Sequence, residues 1–474
     1  MRKPEAIRLY RTGEEPTVEK LMALDDEVTA LKEKLARLER DSSTSSKPPS
    51  SDGPAKPTLP PKPPSGRKPG GQPGHKGYSR VMLPPERVDQ IVDHYPSNCE
   101  RCQRSFGSQP RREVADPQCL QQTEVPPLRA HVTEHRAHAL GCCCGHVTCA
   151  TMPAEVRASQ FGPRLAALIA HLTVSLRIPR RGVRDFLQQL LGLAISTGSV
   201  QALIEEASAA LADPVRELQD QLPKEPVINA DETGWMKKRW LWIFVTTRFV
   251  FFNVIASRGT RALAAVLGAD YGGIFCVDRW QAYTSFHKGR MQICWAHLKR
   301  DLLGLVLLGV ITKEPEPMLL GAALDQLRTE LFGAWHQFRD GTISRARLQE
   351  ITAPTVTRFI SMLDRGRFAE HKAVRTLAIG LWKRRDHLFT FLEIEGVEPT
   401  NNIAERGLRP AVQWRKICFG NRSDAGALAT SRLLTTVHTC RLTQKDPLAF
   451  LEQCIRASRA GQAAPSLLVP AITG

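Results

Sequence analysis

PVINADETGW, residues 226–235, is a short, mostly apolar run that reaches a carboxylate at Asp231. Its Val-Ile opening and its length predict a buried strand ending on Asp231. Two more apolar runs of strand length follow directly, RWLWIFVTT (239–247) and RFVFFNVIAS (248–257), and the three together predict a meander. Residues 260–267 predict a short helix. YGGIFCVDRWQAY (271–283) predicts another buried strand, ending on Asp278, and QICWAHLKRDL (292–302) a fifth strand leading into a helix.

Three strands, a helix and two strands, with carboxylates ending the first and fourth, match the order of a ribonuclease-H-like (retroviral-integrase-like) mixed sheet within a multidomain α/β chain. Between the last two strands there is room for only a turn or so of helix, around 285–288. Residues 302–395 are helical and basic, as in LDQLRTELFGAWHQF (324–338), and predict a helical insertion. Beyond it, NNIAERGLRPAVQWRKICFGNRS (401–423) sets Glu405 among Arg406, Arg409, Arg415, Lys416 and Arg422. This segment predicts a helix over 401–408, capped by Thr400 or Asn401 and stopped by Pro410. A helix over 424–442 and a last one at DPLAFLEQCI (446–455) precede the tail.

Upstream of the strands the pattern is helical. QFGPRLAALIAHLTVSL (160–176), RRGVRDFLQQLLG (180–192), the turn LAIS and TGSVQALIEEASAAL (197–211) have the grammar of a helix-turn-helix, with Arg177, Arg180, Arg181 and Arg184 nearby. Of the twelve cysteines, seven lie between Cys99 and Cys149. Cys99 and Cys102 have the spacing of one zinc knuckle, and Cys142 and Cys144 are the chosen second pair of a ribbon-like site. Cys143, Cys149, His146 and Cys119 remain substitutes. At the N-terminus, Leu21, Leu24, Val28, Leu31, Leu35 and Leu38 alternate at spacings of three and four, a short coiled-coil seam that predicts self-association. The Pro-, Ser- and Lys-rich stretch that follows cannot bury a core and predicts a disordered linker.

With 65 Lys and Arg against 48 Asp and Glu, the formal charge of +17 points to a polyanionic partner, nucleic acid ahead of a membrane surface. No run of eighteen apolar residues exists, and MRKPEAIRLYRTGEEP lacks the apolar core of a signal peptide, so the expectation is a cytoplasmic protein without membrane association.

Cleavage and transfer of phosphodiesters call for two hard divalent ions about 3.5 to 4 Å apart, magnesium or manganese, held by carboxylates on rigid elements. Asp231, Asp278 and Glu405 supply that set. Singly, each has a structural use: Asp231 can cap a turn, Asp278 can pair with Arg279, and Glu405 can pair with Arg409. Jointly, their places at strand ends and in one basic helix favour catalysis. The neighbouring arginines suit phosphate contacts. Trp280 and Trp295 read as core aromatics, and His297 as a group supporting the ligands.

The blocks Asp231-Glu232-Thr233, DRWQAY (278–283), CWAH (294–297) and NNIAERGLRP (401–410) resemble the signature blocks of the insertion sequence 66 family of bacterial transposases. The resemblance extends to the heptads, SKPPSSD (46–52), GGQPGH (70–75), the cysteines and the helix-turn-helix. Cys142-Cys143-Cys144 crowds the usual second pair, and Ile417-Cys418-Phe419 replaces a more aromatic version. The resemblance implies DDE chemistry with Asp231, Asp278 and Glu405 as metal ligands, transposon ends and target DNA as substrates, a homo-oligomer, and companion proteins from the same element. The expected layout is a coiled-coil arm (1–41), linker (42–85), zinc domain (86–155), helix-turn-helix domain (156–222), core in two parts (223–301 and 396–442) around the insertion (302–395), and a terminal helix and tail (443–474). The alternatives are a zinc-containing DNA-binding regulator with an inactive core, and a nuclease of the same fold without strand transfer.

Overall fold

A computed structural model describes residues 81–107, 114–418, 420–421 and 423–468, with scattered helical positions between 15 and 31. Of the expected seam, Val28 and Leu31 are helical and exposed. The other seam leucines and Arg422 lie outside the described residues, as does the linker before Val81.

The described residues form two compact units, divided between Ala130 and His131. In the first, Cys99 and Cys102 sit in a turn closed by the Cys99 N–H on the Arg104 carbonyl at 2.9 Å and by a bridge between Asn98 and Ser105. Among the described residues 114–138 no strand forms. Pro117, Pro126 and Pro127 lack the N–H that a ladder needs, and most side chains of the stretch are exposed.

The second unit opens with a hairpin, β1 (Ala139–Gly141) against β2 (Val147–Cys149), whose tight turn carries Cys142, Cys143 and Cys144. Helix α1 (Ala154–Ala158) leads to α2 (Pro163–Val174), α3 (Arg180–Leu191), α4 (Thr197–Ala210) and α5 (Ala212–Gln221). Helix α3 ends at Gly192 with φ +66°, a left-handed cap that favours glycine. Ser196 caps α4 by accepting the Ser199 N–H. The expected pair of helices and its turn therefore form.

Strands β3 (Val227–Gly234), β4 (Trp240–Val245) and β5 (Val250–Ile255) make the meander, followed by α6 (Thr260–Leu267), β6 (Ile274–Val277), α7 (Gln281–Phe286) and β7 (Met291–Ile293). The sheet order is β5-β4-β3-β6-β7, antiparallel within the meander and parallel from β3 through β6 to β7. Helix α7 is the short helix expected here, shifted from 285–288. It begins earlier, at Gln281, because Ala282 and Tyr283 bury against the sheet.

Both sheet edges are covered, which removes the open ladder that invites aggregation. On β5, Thr435 and Thr439 of α14 (Asp424–Leu442) accept the N–H groups of Phe252 and Val250 at 2.9 and 3.1 Å. On β7, the Gln292 side chain accepts the Phe391 N–H and donates to the Leu388 carbonyl. These last partners belong to the insertion, which comprises α8 (Trp295–Thr312), α9 (Pro315–Arg339), α10 (Arg345–Gly366), α11 (Lys372–Trp382) and α12 (Thr390–Glu393). It has a core of its own around Trp295, Leu331, Trp335, Phe359 and Phe391.

Helix α13 (Asn402–Cys418) then lies over the sheet, so close that a Cβ at Gly407 would overlap Ile243 Cδ1 of β4. Pro410 does not stop it. An interior proline costs about 3 kcal/mol, and burying Ala411 and the large Trp414 one turn further on offsets that. Helix α15 (Pro447–Arg459) completes the fold. Among the described residues no helix is long and apolar enough to cross a membrane.

Candidate active site

Period-two alternation sends Asp231 and Glu232 to opposite faces of β3. Asp231 pairs with Ile243 of β4, the residue under Gly407, so its face is the one that α13 covers. Asn229 pairs with Cys276 across β3 and β6, and Cys276 with Gln292 across β6 and β7. Asp278 and Cys294 directly follow the last residues of β6 and β7, and Asp231, two residues past Asn229 in β3, is near enough to Asp278 and Glu405 to feel their charges. Glu405 is in the first turn of α13.

Asn401 fixes that first turn. Its Nδ2 donates to the Ala230 carbonyl at 2.7 Å, its Oδ1 accepts from Asn229 at 3.1 Å, and its backbone N–H donates to Cys294 Sγ at 3.1 Å. The side chain sequence reasoning offered as a helix cap is thus turned onto β3. The result is a cluster in which Asp231's carboxyl is raised well above its usual range, first by burial and then by the charges of Glu232, Asp278 and Glu405. Gathered carboxylates of this kind favour a proton or a cation among them.

The simple structural uses of the three acids are not realised. Arg279 pairs with Asp301 rather than Asp278, and Asp278 Oδ1 accepts the Trp280 N–H at 2.7 Å. Glu405 faces His297 Nδ1 at 3.3 Å and Arg300 at 3.7 Å, both on α8, rather than Arg409. Asp231 Oδ1 accepts the N–H of Glu232 at 2.9 Å.

Three groups escaped sequence reasoning. On the far face of β3, buried Glu232 accepts from Tyr283 of α7 and from Arg258 Nε at 2.8 Å, and burial pushes it up to about 6. Arg258 in turn lies between Trp240 and Trp280, 4.7 and 4.2 Å from their rings. Asn401 and Arg300 are the others. The signal for Glu232 was its place beside Asp231 in an apolar strand; Asn401 was legible only as a helix cap, and Arg300 gave none. Trp295 is buried as expected, but Trp280 is not a core aromatic: it is 40% exposed, lying under Arg258 beside Asp278.

Arg406, Arg409 and Lys416 are exposed on α13 and Arg415 is half-buried over Trp235. Arg180 and Arg181 are exposed in the first turn of α3. Cys418, ending α13, donates to the Arg177 carbonyl at 3.6 Å and feels the charge of Arg180, so basic residues at the start of α3 adjoin those of α13. In the two cysteine turns, N–H groups aim at sulfur: those of Cys102 and Arg101 hold the Cys99 thiol below its ordinary range, and that of Cys144 does so for Cys142.

Oxygen donors gathered on a mixed sheet beneath a basic helix suit a divalent ion and a polyanion, and the comparisons name the class. The family described as Transposase IS66 family matches residues 158–429, more than half of the chain. The chain belongs to that family of transposases. Residues 2–81 match a separate family of unknown function, DUF6444. An uncharacterized protein of Sinorhizobium fredii (strain NBRC 101917 / NGR234), y4qI, is 26% identical over 435 residues, covering 84% of this chain and 76% of the relative.

Proposed function

We propose that this transposase is a DDE enzyme with a ribonuclease-H-like core, which binds the ends of its element and catalyses strand cleavage and strand transfer through Asp231, Asp278 and Glu405. The observation that carries this reading is that buried Asp231, on the face under α13, feels the charges of both Asp278 and Glu405, the latter in the first turn of that helix. The residues fit a divalent ion: Asp231 is raised by burial and then by its acidic neighbours, and Glu405 Oε1 is a buried acceptor without a hydrogen-bond partner among the described residues. Magnesium or manganese held there would supply Lewis acidity and charge neutralisation at the phosphorus.

The chain's own groups do the rest. Arg406, Arg409, Arg415 and Lys416 grip phosphates beside the reacting bond, with guanidinium forks matched to phosphate oxygens. Helices α3 and α4 read the element end, with Arg180 and Arg181 on the backbone. Each cysteine turn offers thiolates to structural zinc: Cys99 with Cys102, and Cys142 with Cys144. The seam around Val28 and Leu31 supports self-association, and companion proteins of the element complete the assembly.

The DNA flanking the coding region provides the test. The full-length protein should bind its inverted repeats, nick them at the element's end in magnesium, and join the freed 3′ hydroxyl to target DNA. Cutting without joining would identify a nuclease, and binding without cutting a regulator.

A further inference from the structure

Glu405 Oε1 and His297 Nδ1 are buried and have no hydrogen-bond partner among the described residues. They face each other at 3.3 Å without the alignment of a hydrogen bond. Native interiors leave few such atoms unpaired, so two that point at one another mark a place for a third. The separation also suits an ion: bonds of about 2.1 Å to nitrogen and oxygen, at roughly a right angle, put the two donors about 3 Å apart. Arg300 approaches the other carboxylate oxygen, Oε2, which leaves Oε1 to His297.

Cys294 Sγ completes a group of three donor atoms within 4.8 Å of one another. It is already engaged: Asn401 donates its backbone N–H to the sulfur at 3.1 Å. The available donors are therefore one imidazole nitrogen and one carboxylate oxygen.

We propose that His297 is a nitrogen ligand, beside Glu405, to a divalent ion of the manganese and cobalt class. First-row transition ions take imidazole nitrogen, least strongly at manganese and more so towards cobalt and nickel, whereas magnesium prefers oxygen and water. The same carboxylates still accept magnesium, but His297 adds nothing to its affinity. This inference rests on the carboxylate reading above and adds a residue to it.

Pulsed electron paramagnetic resonance of full-length protein with one equivalent of Mn2+ tests it. Nitrogen-14 modulation from a directly bound imidazole is expected in the wild type and in Cys294→Ser, and its loss in His297→Gln. Mn2+ affinity should fall roughly tenfold or more in His297→Gln, while magnesium affinity, measured by competition, should stay within about twofold. His297→Asn and circular dichroism guard against a folding defect. If Mn2+ binds without nitrogen modulation, or the modulation persists in His297→Gln, while Asp231→Asn and Glu405→Gln weaken binding, His297 is not a ligand and the carboxylate site stands. If Asp231→Asn and Glu405→Gln leave Mn2+ binding unchanged, the carboxylate reading falls and this inference falls with it.

Discussion

The backbone N–H of Trp295 donates to the carbonyl oxygen of Pro399 at 3.0 Å, so the chain leaves the sheet for the helical insertion and returns to it at one point. Two residues later Asn401 is bonded to Ala230 and Asn229, and Glu405 follows one turn on. The insertion therefore projects from the sheet without displacing the third carboxylate.

Asn401 is the hinge pin of that return, and Asn401→Ala removes both side-chain hydrogen bonds to β3. Stability should fall by about 1–3 kcal/mol, the usual cost of unpaired buried polar groups, and the site should lose divalent-ion affinity as the first turn of α13 loosens. Urea denaturation and Mn2+ titration measure the two effects, and a variant with unchanged metal affinity would show that Asn401 does not hold Glu405 in place.

Glu232 is 2% exposed at its side chain and depends on Arg258 and Tyr283. Arg258→Ala strands the carboxylate and should cost about 1–3 kcal/mol. Adding Glu232→Gln should recover part of that loss, because a neutral amide needs no cation. Thermal unfolding of the two variants decides; equal stability would mean that the pair contributes nothing.

Thr439 both accepts from the Val250 N–H and donates to the Val250 carbonyl. Thr439→Val keeps the volume but leaves the edge of β5 unsatisfied. A loss of about 1–3 kcal/mol in urea denaturation is expected, together with greater aggregation on heating.

His438 supplies a pH dependence. Burial, with Arg441 adding to it, lowers this imidazole to about 4, and its ring packs edge-on to Phe252 at 5.0 Å. The unfolded chain protonates it near its ordinary value of about 6.5, so the folded state binds that proton later. Stability is full above about 6.5 and falls as pH drops towards 4, by up to about 3 kcal/mol. Between pH 7.5 and 4.5 the wild type should lose roughly 2–3 kcal/mol more than His438→Leu in denaturant titrations; equal losses would show that His438 does not carry the dependence.

Much of this was legible in the strands, because period-two burial and β-branched runs leave a direct trace. The helix Thr260–Leu267 and the helix Asp424–Leu442 fall at the expected residues. Pro410 misled because local propensity opposes the helix while Trp414, stacked on Trp235 at 6.0 Å, drives it from outside. Trp280 misled for the converse reason: its hydrophobicity says core, but its environment is a cation and solvent. Asp278 follows the end of its strand as expected, but Asp231 does not end its own: β3 runs on to Gly234, because Glu232, Thr233 and Gly234 keep pairing with β4. That Asn401 would tie Glu405 to the same strand was not foreseeable, since those bonds join positions more than 170 residues apart.

The central claim is the joint action of three carboxylates. It is tested most directly by magnesium-dependent strand transfer of element ends, measured beside end binding for Asp231→Asn, Asp278→Asn and Glu405→Gln. Each variant should bind the ends as tightly as the wild type and show a loss of transfer of at least about a thousandfold, the scale of removing one member of a unit that acts together. Near-normal transfer by any one of the three folded variants would contradict the account.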